Sequence, residues 1–166
     1  MRIGLISDTH GYMDERILHH LQGMDEIWHA GDIGDLSVTD ALAAIAPLRG
    51  VYGNIDNAQI RAEFPLHQRF QIKGLKVWMT HIGGRPGNYD HRLRDQLYRD
   101  RPDLFICGHS HICLVKKDPA FGGIYLNPGA AGKHGFHKMR TLLRFTLQKG
   151  GLHQLEVVEL GARGKA

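Results

Sequence analysis

The run Arg2-Ile3-Gly4-Leu5-Ile6-Ser7, followed without a gap by Asp8-Thr9-His10-Gly11, decides how this chain is read. A short apolar run that ends in polar turn residues is a buried strand, and this one delivers a carboxylate and an imidazole two residues apart at its C-terminal end. Strand ends are where open α/β sheets keep their chemistry. Working outward, residues 14–21 carry Ile17, Leu18 and Leu21 at helical spacing behind an Asp14 cap. Residues 26–30 then read as the next strand, ending at Gly31-Asp32, which completes a β-α-β unit.

A second helix over residues 36–46 is stopped by Pro47, and a third strand over 49–52 ends at Gly53-Asn54. Residues 68–72 and 76–80 read as an antiparallel hairpin joined through Lys73-Gly74-Leu75, its second strand ending at His81. After the Gly- and Pro-rich turn at 83–87, Leu93 and Leu97 lie four apart among charges, which predicts a surface helix over 89–99. Residues 104–107 form a further buried strand, ending at Gly108-His109-Ser110-His111. Strand-formers dominate 112–117, 124–127, 142–147 and 152–160, with Gly150-Gly151 a hairpin signal. An α/β first half and an all-β second half, mostly antiparallel, give an α/β fold in which two mixed β-sheets pack face to face as a sandwich with helices on the outside. Each sheet must bury an apolar face. The 166 residues suit one domain over 1–160 with a short disordered tail at 161–166, and the sequence has no repeat or linker.

Composition excludes more than it identifies. The apolar and charged fractions, 42% and 23%, are ordinary for a globular chain, and the formal charge of +4 suits an anionic substrate. Lys and Arg are spread along the chain instead of clustering among aromatics, which argues against a general nucleic-acid binder. Cys107 and Cys113 make no disulfide framework and no C-x-x-C pair. The N-terminal apolar run is too short for a signal peptide or a membrane span. The expected setting is therefore cytoplasmic, with reduced thiols and no membrane partner. The unusual feature is histidine, present twelve times.

The histidines that matter are placed at strand ends. Asp8 and His10, Asp32, Asn54, His81, and His109 with His111 each follow a predicted strand, so five turns carry seven metal-capable side chains. Singly, each would be a turn cap or a surface polar group. Gly31, Gly53 and Gly108 stand directly before a candidate ligand, where the chain must turn tightly and admit a close neighbour. Two cations about 3.5–4 Å apart can clamp an in-line displacement at phosphorus, and a carboxylate between them can bridge. Imidazole and amide oxygen suit borderline first-row ions.

The sequence resembles the calcineurin-like metallophosphoesterases, whose pattern D-x-H, G-D, G-N-x-[DE], H, G-H-x-H is matched by Asp8-Thr9-His10, Gly31-Asp32, Gly53-Asn54-Ile55-Asp56, His81 and Gly108-His109-Ser110-His111. The compact length and Asn127-Pro128-Gly129 are similar to the small single-domain bacterial and archaeal phosphodiesterases. The resemblance implies a four-layer α/β/β/α fold and a hydrolase, a phosphodiesterase first and a phosphomonoesterase second. A hydroxide bridging two divalent transition-metal ions would attack a phosphate ester in line. Manganese is the expected ion, with iron, zinc, nickel and cobalt as the other candidates. By the same resemblance Asp8, His10 and His111 hold one ion, Asn54, His81 and His109 the other, and Asp32 bridges them. Asp32, Asn54 and Asp56 are the catalytic candidates, Asp56 by holding the far nitrogen of a liganding histidine, His10 first among them.

Two departures from the pattern bear on substrate and rate. Many relatives have histidine after the G-N, where this chain has Ile55, which cannot protonate a leaving group. A positioned acid is typically worth about 10²–10⁴ in rate, so esters with poor leaving groups should react slowly. The turn after His81 also lacks the H-G-H of some small relatives. Asn54, Arg85, Lys133 and His134, with His137 nearby, are the candidate substrate contacts, while a solvated loop is the plainer reading for Arg85. The remaining histidines, His29 among them, read as surface or edge residues. The partner is a small-molecule or nucleotide phosphate ester. Cyclic nucleotides, phospholipid headgroups and nucleic-acid ends all match, because the motifs mark the phosphate and not the group it carries. A homodimer is compatible with the hairpin edges. The alternative function is a non-catalytic scaffold on the same fold, as in a retromer subunit whose resemblance includes lost ligands.

Overall fold

The computed structural model describes residues 1–164. Its first half alternates as expected, with β1 (Arg2–Ile6), α1 (Glu15–Leu21), β2 (Glu26–His29), α2 (Leu36–Ala43) and β3 (Leu48–Gly50), the three strands running parallel. Asp14 caps α1 by accepting from the Ile17 N–H at 3.0 Å, and Asp35 caps α2 through Ser37 at 2.8 Å. A short helix not anticipated from the sequence, α3 (Ala58–Glu63), follows an Asn57 cap and buries only Ile60, too little to leave a periodic pattern.

The hairpin is present as β4 (His67–Ile72) and β5 (Leu75–Thr80), paired from Ile72↔Leu75. Lys73 and Gly74 both take positive φ, 51° and 76°, as a two-residue turn of this kind requires.

 Gly84 lies in the small ribbon β6 (Gly84–Arg85) and β7 (Asn88–Tyr89), which falls on the expected turn and takes only Tyr89 from the stretch expected to be helical. The helix itself, α4 (Arg94–Asp100), begins later, and Leu97 on it is fully buried.

The remaining strands are β8 (Leu104–Ile106), β9 (Cys113–Asp118), β10 (Gly123–Pro128), β11 (Met139–Gln148) and β12 (Gly151–Ala162). One five-stranded sheet has the order β12-β11-β1-β2-β3 and the other β4-β5-β8-β10-β9. Both are mixed. In the second sheet β5, β8 and β10 are parallel, where mostly antiparallel pairing was expected, because α4 carries the chain back between β5 and β8 and the antiparallel edge strand β9 carries it back between β8 and β10. The expected tail at 161–166 starts too early: β12 runs to Ala162, and Arg163 donates through its Nε to the His137 carbonyl at 2.8 Å. Residues 165 and 166 lie outside the described residues.

Three apolar layers account for the sandwich. Ile3, Leu5 and Trp28 of the first sheet meet Val77, Met79, Ile106 and Leu126 of the second between the sheets. Ile17, Leu21, Val38 and Leu42 of α1 and α2 cover the far side of the first sheet with Ile6 and Ile27. Leu93 and Leu97 cover the far side of the second with Trp78, Phe105 and Tyr125. The four-layer α/β/β/α arrangement follows, each large buried side chain contributing about 1.5–3 kcal/mol. Among the described residues no helix is long and apolar enough to cross a membrane.

Candidate metal centre

The strand-end turns are tied to one another by backbone hydrogen bonds that continue the ladders past the strands. Asp8 N–H donates to the Gly31 carbonyl at 3.0 Å, His10 N–H to Asp32 at 3.0 Å, Gly108 N–H to His81 at 3.1 Å and Gly132 N–H to Asp8 at 3.1 Å. Five of the seven candidate ligands, Asp8, His10, Asp32, His109 and His111, sit in left-handed backbone with φ between 45° and 72°. That conformation is unfavourable for side-chain-bearing residues and persists only where the surroundings enforce it. Two of the preceding glycines are required by close approach: a Cβ on Gly31 would lie 2.8 Å from Cγ of His81, and one on Gly53 2.8 Å from Cγ of Asp32.

The side chains converge as two triads, Asp8 with His10 and His111, and Asp32 with His81 and His109, the donor atoms of each lying within 4.8 Å of one another. Asp32 stands between them, its Oδ2 3.1 Å from His81 Nε2 and 3.4 Å from His10 Nε2. Oδ1 of Asp8 is 3.1 Å from His111 Nε2 and 3.8 Å from His81 Nε2. The other Asp8 oxygen is already used, accepting from Ser7 Oγ at 2.6 Å and from the His109 N–H at 3.1 Å. Asn54 Oδ1 lies 3.1 Å from His109 Nδ1.

These donors fit cations. Asp8 Oδ1, His10 Nε2 and His81 Nε2 are buried polar atoms without a hydrogen-bond partner, and such groups cost about 1–3 kcal/mol each when left unpaired. His81 gives its Nδ1–H to the Ala30 carbonyl at 2.8 Å, so in the neutral ring Nε2 turns a lone pair toward two carboxylates. Positive charge between them removes that repulsion. The same field is visible in the titration of the site. Burial works to lower the His81 pKa, but the Asp32 and Asp8 carboxylates outweigh it and raise it. Burial works to raise the Asp32 pKa, and the His10 and His81 imidazoles beside it override that and hold the carboxyl well below the usual range. Burial lowers His109, with His81 adding to the effect.

Other expected site residues divide. His134 lines the cavity over the triads, its ring stacked on His10 at 4.6 Å between centroids, and His137 lies edge-on to His111 at 5.2 Å. Ile55 lines it too. Lys133 is turned away, its Nζ 4.7 Å from the Tyr12 ring centre, and Arg85 lines a separate recess beside His109 and Ser110. The expected contact from Asp56 to His10 is not formed. Asp56 is buried and accepts instead from the N–H groups of Gly53 at 2.7 Å, Gly34 at 2.8 Å and Ile33 at 3.1 Å. Three fixed backbone donors hold it between the turns that carry Asp32 and Asn54.

The sequence reading passed over His29. It is fully buried, not a surface or edge residue. Its Nδ1 accepts from the Gly31 N–H at 3.1 Å, so Nε2 carries the proton and donates to Thr9 Oγ1 at 3.0 Å, which in turn donates to the Ile33 carbonyl at 2.9 Å. The available signal was a polar residue inside the otherwise apolar strand Ile27-Trp28-His29-Ala30.

The model of the calcineurin-like phosphoesterase superfamily domain matches residues 1–150. A probable metallophosphoesterase of Methanothermobacter thermautotrophicus is 29% identical over 135 residues, covering 78% of this chain and 77% of that protein. A solved structure of wild-type Vps29 with zinc from Entamoeba histolytica superimposes with a TM-score of 0.73 at 19% identity, covering 97% of this chain and 100% of that one. A structure described as a novel archaeal phosphodiesterase gives a TM-score of 0.73 at 21% identity, over 95% of this chain and 100% of that one.

Proposed function

Since the chain belongs to the calcineurin-like phosphoesterase superfamily, we propose that it is a phosphoesterase that takes two divalent transition-metal ions and prefers phosphodiesters. The observation that carries this reading is that Asp32, a member of one triad, also reaches His10 of the other, while Asp8 Oδ1, His10 Nε2 and His81 Nε2 are buried without a partner. Asp8, His10 and His111 would hold one ion, Asn54, His81 and His109 the other, and Asp32 both. The nitrogen-rich set favours manganese, iron, zinc, nickel or cobalt over magnesium. When bound, two such ions supply an acidic water at neutral pH and neutralise charge growing on the phosphoryl oxygens.

The chain's own residues have separable tasks. Asp56 keeps the Asp32 and Asn54 turns in register through its three backbone bonds. His134 lines the cavity wall and would meet a phosphoryl oxygen. Ile55 offers no proton to the departing oxygen, so activated leaving groups should react fastest. Asp32→Asn tests the reading by metal analysis and by hydrolysis of bis-p-nitrophenyl phosphate. We expect a loss of about one ion per chain and a rate fall of about 10³-fold, the scale of losing a principal electrostatic group. A fully loaded, fully active variant would sink it. The second reading is the scaffold, whose fold the Vps29 structures share. Two bound ions with no ester turnover under any divalent metal would favour it.

A further inference from the structure

The rim of the cavity differs in character from its floor. Ile55, Ile112 and Phe136 are exposed by 46%, 59% and 101%, and all three line the cavity of about 530 Å³ that also contains His10, His109 and His111. They come from three different turns, those after β3, β8 and β10. Scattered single apolar residues on a surface need no explanation, but three that line one polar cavity offer apolar surface to a ligand group held there.

The charges nearby point the same way. Among the described residues lining the cavity none is a lysine or arginine. Lys133 faces Tyr12, and Arg61 donates to the Asn54 carbonyl at 3.2 Å while covering Tyr52. Within the cavity a second phosphate, or the extra charge of a monoester, would therefore find no guanidinium or ammonium to receive it, Arg85 lining the separate recess beside His109 and Ser110. A singly charged diester would not need one.

We propose that the substrate is a phosphodiester carrying a flat apolar substituent, which lies against Phe136 between Ile55 and Ile112. This rests on the phosphoesterase reading for the place of the phosphate and adds the class of group attached to it. A nucleobase and a simple aryl ring share the required chemistry, since either presents a face for an aromatic side chain.

The test compares diphenyl phosphate, dimethyl phosphate and thymidine 5′-methyl phosphate by calorimetric titration into the metal-loaded protein. Diphenyl phosphate or the thymidine diester should bind at least about tenfold more tightly than dimethyl phosphate, the scale of one apolar group in a pocket. The tighter of the two identifies the source of the ring. Phe136→Ala and Ile112→Ser should each reduce that preference severalfold, with thermal midpoint and metal content confirming that each variant is folded and loaded. Equal binding of all three ligands, or a preference that survives both substitutions, overturns the proposal. Hydrolysis of bis-p-nitrophenyl phosphate is followed in parallel. No turnover with the binding preference intact would remove the enzyme reading and leave the apolar contact standing, whereas turnover without preference would do the reverse.

Discussion

On the floor of the cavity Asp8, Asp32 and His81 are almost wholly buried, and backbone hydrogen bonds hold Asp8 and Asp32 in conformations that free peptides avoid. On its rim Ile55, Ile112 and Phe136 stand in solvent. Floor positions are therefore coupled to the fold, so that a change there should alter stability, metal content and activity together. Rim positions should alter preference among substrates and little else. On the proposed reading, the contrast separates the part of the molecule that would hold the ions from the part that would select what is brought to them.

The most severe test of that separation is Asp56, which belongs to the floor without touching the cavity. Asp56→Ala would leave the N–H groups of Ile33, Gly34 and Gly53 without their acceptor. At about 1–3 kcal/mol for each buried unpaired donor, a loss of several kcal/mol is expected, partly relieved by water. Chemical denaturation should report it, and metal content should fall in the same variant because Asp32 and Asn54 sit on the freed turns. A stable Asp56→Ala protein that binds metal normally would show that the turns hold themselves.

His29 probes the floor through pH. Burial pushes its pKa down to about 4, with Asp56 and Asp8 pulling the other way. In the unfolded chain it titrates near 6.5. Above pH 6.5 both states are neutral and this group exacts no penalty. As pH falls from 6.5 toward 4 the unfolded chain takes up a proton that the native ring refuses, and stability declines, by about 3 kcal/mol in all, levelling off once the native ring also protonates. Urea unfolding across this window should show a decline that His29→Gln makes shallower. Identical slopes in both proteins would mean that His29 does not set the acid limb.

What was legible in the sequence follows the same division. The clustering on the floor could be read because each candidate ligand sits directly after an apolar run, and local order along the chain was enough to single out Asp8, His10, Asp32, Asn54, His81, His109 and His111, which the fold brings together. Asp56 was recognised as a residue of interest but given the wrong partner, since its acceptor role depends on N–H groups more than twenty residues away. His29 was misread because its burial is decided by the turns stacked over it. The parallel pairing of β5, β8 and β10 likewise depends on a crossover that strand propensity does not encode. The rim left no pattern at all, because exposed side chains from three turns have no common period and acquire meaning only when the fold assembles them.

Ile55 belongs to both regions and gives the smallest but most discriminating effect. Its N–H donates to Asp32 Oδ1 at 3.2 Å, tying its backbone to the floor, while its side chain lines the cavity and is half exposed. Ile55→His should therefore leave the backbone contact in place and offer a proton donor to the leaving oxygen. A well-positioned acid is worth about 10²–10⁴, and an imidazole introduced without optimisation should recover a part of that, about tenfold. The gain should be confined to poor leaving groups, so diphenyl phosphate hydrolysis should rise while bis-p-nitrophenyl phosphate hydrolysis stays nearly level. It should also fade as pH passes the imidazole pKa, near 6.5 for an exposed ring. An equal change for both esters would show that residue 55 acts on binding alone, and would assign this position wholly to the rim.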